Sequence, residues 1–207
     1  MNKPKFIVSV AAFFLACLLN LTNSFAQVPT NQQTQPSYEV VLQVLTASNN
    51  PTDKSNAVPQ TLSSVIKKLK TNYTFSNYRL NLTYLQRVAN TGNLEFRGVS
   101  NEPNQDVYVP IFSEWSIRQL LTLPDARGQN SISIENFRFG QRVPVRNGAS
   151  LTDQNGKSSA IINYEQIGLT MGRLNLPVNT PTIIGNLSTS KPDEVMFLIL
   201  TVKPAQE

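Results

Sequence analysis

Most of the chain alternates apolar and polar residues, which is the period of a β-strand with one buried face. Residues 38–47 are rich in β-branched side chains, and one face carries Val40, Leu42 and Val44. Residues 78–88 alternate in the same way, with Tyr78, Leu80, Leu82 and Tyr84 on one face. The short segment ANTGN separates this strand from a run with Leu94 and Phe96 on one face, so we predict a β-hairpin here.

Residues 60–70, QTLSSVIKKLK, follow a different period. Their apolar positions are spaced i, i+3, i+4 and i+7, as in Leu62, Val65, Ile66 and Leu69. This spacing predicts a short amphipathic helix, with basic residues near its C-terminus where they suit the helix dipole. We expect the helix to cover a sheet, and we interpret Lys67, Lys68 and Lys70 as its solvated face.

Two long segments in the second half change phase partway along. In residues 131–145, Ile132 and Ile134 occupy even positions, and the later apolar residues occupy odd ones, starting at Phe137. This change predicts a β-bulge near Glu135-Asn136. Residues 161–176 change phase again at Gly172, and a long polar loop is predicted between the two segments, at residues 146–159.

Three further stretches are interpreted by their length and composition. Val195–Val202 is apolar without alternation, so we predict a central strand buried on both faces; it is too short for a membrane helix. Residues 107–112 predict a strand at a sheet edge because they contain Pro110, and Val107 and Val109 make that edge a candidate docking site for a partner strand. Residues 113–121 fit either a helical turn or an extended segment.

Together these elements predict an α+β protein with a mostly antiparallel, bulged β-sheet and one covering amphipathic helix. We expect a single β-rich domain over residues 37–207, with a strand-helix-hairpin half at 37–112 and a second half at 113–207. Residues 27–36 are polar with two prolines, which indicates a flexible lead-in.

The first 26 residues have the composition of a secretory signal peptide. Lys3 and Lys5 precede an apolar run, and Ser24-Phe25-Ala26 places small residues where a cleavage site needs them. We therefore expect an exported mature chain. An uncleaved anchor and lipidation at Cys17 are the alternatives.

The composition excludes much chemistry. The 207 residues include no His, and Cys17 is the only Cys, so a Ser-His-Asp triad, a Cys nucleophile and the usual zinc sites are absent from the sequence. Removing Lys3 and Lys5 with the signal leaves 16 basic against 13 acidic residues, a net charge of +3, which gives no argument for nucleic acid. We expect no enzyme activity, no cofactor and no metal.

Two acidic features are candidates for catalysis. Glu114 beside Trp115 is interpreted as a helix-start carboxylate next to a core Trp, with a sugar platform and acid as the alternative. Asp193-Glu194 is interpreted as a solvated start of the last strand.

Residues 117–204 resemble the C-terminal module of the bacterial secretins. The resemblance runs through the order of a leucine-rich strand, a Pro, an Asn, an alternating strand with Gly and Pro, and then an aromatic residue followed by Gly-Leu. The matching positions are Pro124, Asn130, Gly140, Pro144, Tyr164, Gly168 and Leu169. Secretins carry several small α/β domains before this module, whereas only residues 27–116 precede it in the mature chain, and the part after Gly172 is abbreviated.

The resemblance implies an exported, non-enzymatic envelope protein that acts through protein–protein contacts or oligomerisation in protein secretion. Its partners would be other envelope proteins or further copies of the chain, without nucleic acid. We expect it in the periplasm or at the outer membrane, with membrane contact but no spanning helix in the mature chain. The alternative is a soluble periplasmic or secreted binding module without a role in secretion.

Overall fold

The computed structural model describes residues 36–50, 58–100, 110–124, 128–152, 156, 158–189, 191 and 193–205. All elements described here belong to one compact unit, residues 35–207. The predicted signal peptide and all of the lead-in except Pro36 lie outside the described residues.

The described chain forms nine strands and one helix, which a 3₁₀ turn at Gln60–Leu62 precedes. In chain order they are β1 (Ser37–Ser48), α1 (Ser63–Asn72), β2 (Asn77–Ala89), β3 (Leu94–Ser100), β4 (Ile111–Ile117), β5 (Gln119–Pro124), β6 (Asn130–Thr152), β7 (Ser158–Pro177), β8 (Thr182–Ser188) and β9 (Glu194–Pro204).

The strands form two sheets, and within each sheet every strand pairing is antiparallel. The four-stranded sheet has the order β2-β1-β9-β8. The five-stranded sheet is built around β6, which pairs with β4, β5 and β7. The predicted class is thus confirmed in outline, but the prediction of one sheet is wrong. Each sheet takes strands from both halves of the chain.

Two apolar layers hold these elements together. The larger one lies between the sheets and contains Val40, Leu42 and Val44 of β1. The smaller one lies between α1 and the four-stranded sheet, where Leu62, Val65 and Leu69 are buried and Ile66 packs against them. The predicted helix and its role as a cover are therefore confirmed.

The last strand, β9, lies between β1 and β8 and is buried on both faces. Residues at even positions, such as Leu198 and Leu200, face the layer between the sheets. Residues at odd positions, such as Phe197 and Ile199, face the layer under the helix. The continuous apolar run is explained by these two layers, as predicted.

The prediction of one apolar face on β2 is wrong. Tyr78 and Leu80 pack under the helix, whereas Leu82 and Tyr84 pack between the sheets. The cause is a bulge at Asn81, which the pairing with β1 skips. The Asn81 amide donates to Thr46 Oγ1 (2.6 Å), and its oxygen accepts from Arg79 Nε (2.8 Å).

The predicted hairpin between β2 and β3 is also wrong, because β2 pairs with β1 and β3 pairs with β4. The turn instead carries the chain from one sheet to the other. It is bonded to β5: the Thr91 N–H donates to the Leu120 carbonyl (2.7 Å), and the Leu120 N–H donates to the Gly92 carbonyl (3.1 Å). A tight turn therefore does not require its flanking strands to pair.

The phase change of β6 and β7 is confirmed and has a local cause. Glu135 pairs with Arg173 and Phe137 pairs with Met171, so both strands skip one residue at the same level. The skipped residue of β6, Asn136, has a φ of 50°. Because each strand skips one residue, the register between the two strands is kept. On both strands the apolar residues change from even to odd positions, or the reverse, at this level.

For one further segment the prediction from the sequence is wrong, and for another the structure decides between two alternatives. The predicted polar loop at 146–159 is wrong, because β6 reaches Thr152 and β7 begins at Ser158. Residues 113–121 are extended, as parts of β4 and β5.

Candidate interaction surfaces

The β6–β7 hairpin is longer than the sheet that contains it. The pairing of β6 with β4 ends at Arg142. Beyond it, seven further residue pairs join residues 143–152 to 158–165, from Val143–Glu165 to Thr152–Ser158. No other described strand pairs with this two-stranded segment, which we call the ribbon. The eight ribbon residues of β7 span about 26 Å at about 3.3 Å per residue, and β6 has an irregularity between Arg146 and Ser150.

A two-stranded ribbon is marginally stable by itself and has a row of unpaired backbone groups on each edge. Val143, Pro144 and Val145 of the ribbon are half-buried, and Tyr164 is 42% exposed. The ribbon therefore offers both backbone donors and acceptors and apolar side chains to a further strand.

The residues that resemble the secretin pattern lie opposite one another on β5, β6 and β7. The cross-strand pairs are Pro124–Asn130, Gly140–Gly168, Pro144–Tyr164 and Phe139–Leu169. The structure thus places all seven positions on one unit of three neighbouring strands, spread along β6 from its first residue, Asn130, to Pro144 in the ribbon. Their order in the sequence reflects pairing across that unit.

The candidate docking edge at Val107 and Val109 lies outside the described residues. From Ile111 onward, β4 pairs with β3 on one side, and residues 112–116 of β4 also pair with β6. In this described part the outer strand next to β4 is β3, which has exposed Val99.

A substitution at Gly168 tests whether packing requires a glycine in the Gly140–Gly168 pair. A Cβ on Gly168 would lie 2.8 Å from the carbonyl oxygen of Phe139, whereas a Cβ on Gly172 would have no neighbour within 4 Å. We expect Gly168→Ala to lower the free energy of unfolding by about 1–3 kcal/mol, because backbone atoms must move apart. Gly172→Ala, the control on the same strand, should change it by less than about 0.5 kcal/mol. Urea unfolding measures the free energy of unfolding of both variants. Equal losses would contradict the close approach of Gly168 to the Phe139 carbonyl.

The outer face of the five-stranded sheet carries a groove. Across the sheet, Arg97, Glu114, Gly140 and Gly168 form one row on β3, β4, β6 and β7. Two adjoining depressions of about 510 and 450 Å³ share Arg97, Glu114 and Gly140 in their linings. At Gly168 the floor of the groove lies at the level of the backbone, whereas the Glu114 side chain lies over Gly140.

An aromatic cluster marks the end of the groove nearest the ribbon. The guanidinium carbon of Arg142 lies 4.7 Å from the centre of the Phe112 ring. The Phe112 ring also meets the Tyr164 ring edge to face, with centroids 5.6 Å apart. Val99, opposite Phe112, is 63% exposed. Apolar and cationic groups are therefore displayed together at this end.

Polar residues are buried behind the same part of the sheet. The Gln141 side-chain amide donates to Ser113 Oγ (3.0 Å), and both residues are buried. Burial raises the pKa of the neighbouring Tyr84 hydroxyl, while Ser113 and Gln141 act in the opposite direction. These contacts fix the strands that carry the groove.

The two acidic features of the sequence lie in surroundings that differ from those predicted. Trp115 is buried in the core, so its ring is no sugar platform, and Glu114 lies on the outer face of a strand instead of starting a helix. Glu194 is also buried and forms ion pairs with Arg79 (3.9 Å) and Lys191 (3.8 Å), so its interpretation as solvated is wrong. In the part of the chain that the structure describes, no group of three acidic, His or Cys residues is placed to hold a metal.

Over the same described ranges, none of the helical segments has the length and apolar character required to span a bilayer.

The architecture is that of a helix-covered sandwich of two antiparallel sheets with a protruding ribbon. No protein-family model and no curated protein matches this chain. Among solved structures it is similar to the secretin InvG of the Salmonella SPI-1 type III secretion injectisome, residues 176 to the end, in the open gate state. The sequences are 13% identical, the alignment covers 95% of this chain and 66% of that one, and the TM-score is 0.33. The chain thus spans just under two thirds of that secretin fragment.

Proposed function

We propose that this protein is an exported, non-enzymatic envelope component that acts by joining copies of itself, as a reduced relative of the secretins. The observation that carries the proposal is the ribbon, whose two edges pair with no other described strand. It extends from the strands whose residues resemble the secretin pattern.

The ribbon supplies a physical mechanism for self-association. Its β6 edge and its β7 edge differ, so the β6 edge of one copy can pair with the β7 edge of the next. Such a head-to-tail contact repeats around a ring when the rotation between copies closes. Each added strand supplies backbone partners and covers apolar side chains such as Val145.

Export is part of the same proposal and is supported by the sequence of residues 1–26. A positive start, an apolar run and small residues before Gln27 are the features of a cleaved signal. The mature chain would then work in the periplasm or at the outer membrane, where secretins act.

A second candidate is a soluble periplasmic or secreted binding module. The groove favours it, because a concave surface with charged and aromatic side chains suits a ligand or peptide. This candidate requires no self-association.

Fractionation of the native cells distinguishes the two candidates. We expect the mature protein in the outer-membrane fraction, extracted by mild detergent as a large oligomer that heating converts to single chains. A soluble protein with the mass of one chain would refute the proposal and leave the binding module. The heated sample is the internal control for the mass of one chain.

A further inference from the structure

The groove presents an ordered pattern of charges along β6. Arg138 and Arg142 lie on the same face of the strand, four residues apart, with Gly140 between them. Four residues of strand correspond to about 13 Å. The Glu114 side chain lies over Gly140, since a Cβ there would approach Glu114 Oε1 to 3.3 Å. The order along the groove is therefore cation, anion, cation.

These charges are available to a ligand. Arg97 forms an ion pair with Glu95 (2.8 Å), but among the described residues neither Arg138 nor Glu114 has an ion pair. Arg142 contacts the Phe112 ring, which leaves its outward N–H groups for an acceptor. Both arginines and Glu114 are exposed.

We propose that the groove binds an extended segment of a partner protein with carboxylates at positions i and i+4 and a cation at i+2. Every second side chain of an extended segment lies on one side, about 6.6 Å apart, which matches the spacing along β6. The carboxylates would meet Arg138 and Arg142, and the cation would meet Glu114. Gly168, next to Gly140 on β7, has no side chain to keep the partner backbone away.

The aromatic cluster extends the same register by two residues. Pro144 follows Arg142 on the same face of β6, and its partner across the hairpin is Tyr164. An apolar side chain next to the second carboxylate, at i+6, would lie over this ring. The partner segment thus carries a cation between two carboxylates and is apolar at the end that follows the second carboxylate.

The groove lies on the face of a sheet, whereas the proposed self-association uses the edges of the ribbon. The inference therefore stands whether or not the protein forms rings.

Two labelled peptides test it against the mature full-length chain by fluorescence anisotropy. The first has the pattern Glu-Ala-Lys-Ala-Glu-Ala-Val, and the second exchanges Glu and Lys throughout. We expect the first to bind at least about tenfold more tightly, a difference of about 1.4 kcal/mol. The double variant Arg138→Glu/Arg142→Glu should remove that preference, and its unfolding midpoint confirms that it folds.

A matched control changes the same charge elsewhere. Lys67→Glu/Lys68→Glu alters exposed residues of α1 and should keep the preference for the first peptide. Equal binding of the two peptides, no binding at about 1 mM peptide, or the same loss in the helix variant would overturn the inference. Saturable binding of a neutral oligosaccharide in place of either peptide would also overturn it.

Discussion

Replacement of Leu198 by alanine should lower the free energy of unfolding by about 2–5 kcal/mol. Leu198 is fully buried in the middle of β9 and pairs with Val44 of β1. Its side chain fills the layer between the two sheets, where α1 cannot move to compensate because it lies on the other face. The substitution therefore removes apolar burial and leaves a cavity.

Leu85→Ala is the matched control, since it removes the same atoms from a side chain that is 59% exposed on β2. Its effect should stay within about 0.5 kcal/mol. Urea unfolding of both variants, followed by far-UV circular dichroism, gives the comparison. Similar losses of unfolding free energy in the two variants would contradict the assignment of β9 as the central strand.

Shortening the ribbon should abolish self-association while the fold persists. Arg142 and Gln166 are cross-strand partners, so the whole ribbon, residues 143–165, can be replaced by Asn-Gly, the pair favoured in two-residue β-turns. The sheet pairings up to Arg142 remain, because they involve β4, β5 and the last part of β7, residues 166–177. The variant loses the unpaired edges on which the proposed contact depends.

Native gel electrophoresis of detergent-extracted membranes measures the result, and we expect only single chains of the shortened variant. The matched control replaces residues 153–157 by five Gly and Ser residues, which keeps all seven pairs of the ribbon. It should assemble as the unaltered chain does. Assembly of the shortened variant would show that the copies meet elsewhere.

The elements with a strong local period could be predicted from the sequence. The spacing of Leu62, Val65 and Leu69 fits only one face of a helix, and the unbroken run Val195–Val202 fits only a strand covered on both sides. In each case burial leaves a direct signature in the order of residues.

The division into two sheets left no such signature. The bulge at Asn81 moves the side chains of β2 from one layer to the other, but both layers are apolar, so the alternation from Tyr78 to Tyr84 is unbroken. Which strands pair depends on contacts between distant residues. The turn between β2 and β3 therefore looked like a hairpin.

The ribbon and the groove could not be predicted from the sequence, for related reasons. Residues 143–145, where the ribbon begins, are only half-buried, and the polar residues that follow them in the sequence suggested a loop. The groove draws Arg97, Glu114 and Arg138 from three strands, and no local motif connects them. The residues that resemble the secretin pattern pair across neighbouring strands, and their role stays a prediction.

The central claim is that the mature chain joins copies of itself through the ribbon. The molar mass of purified residues 27–207, measured by light scattering in mild detergent over a wide concentration range, tests it most directly. We predict one species of many copies whose mass is unchanged by dilution and falls to that of one chain on heating. The mass of one chain at every concentration would contradict the account.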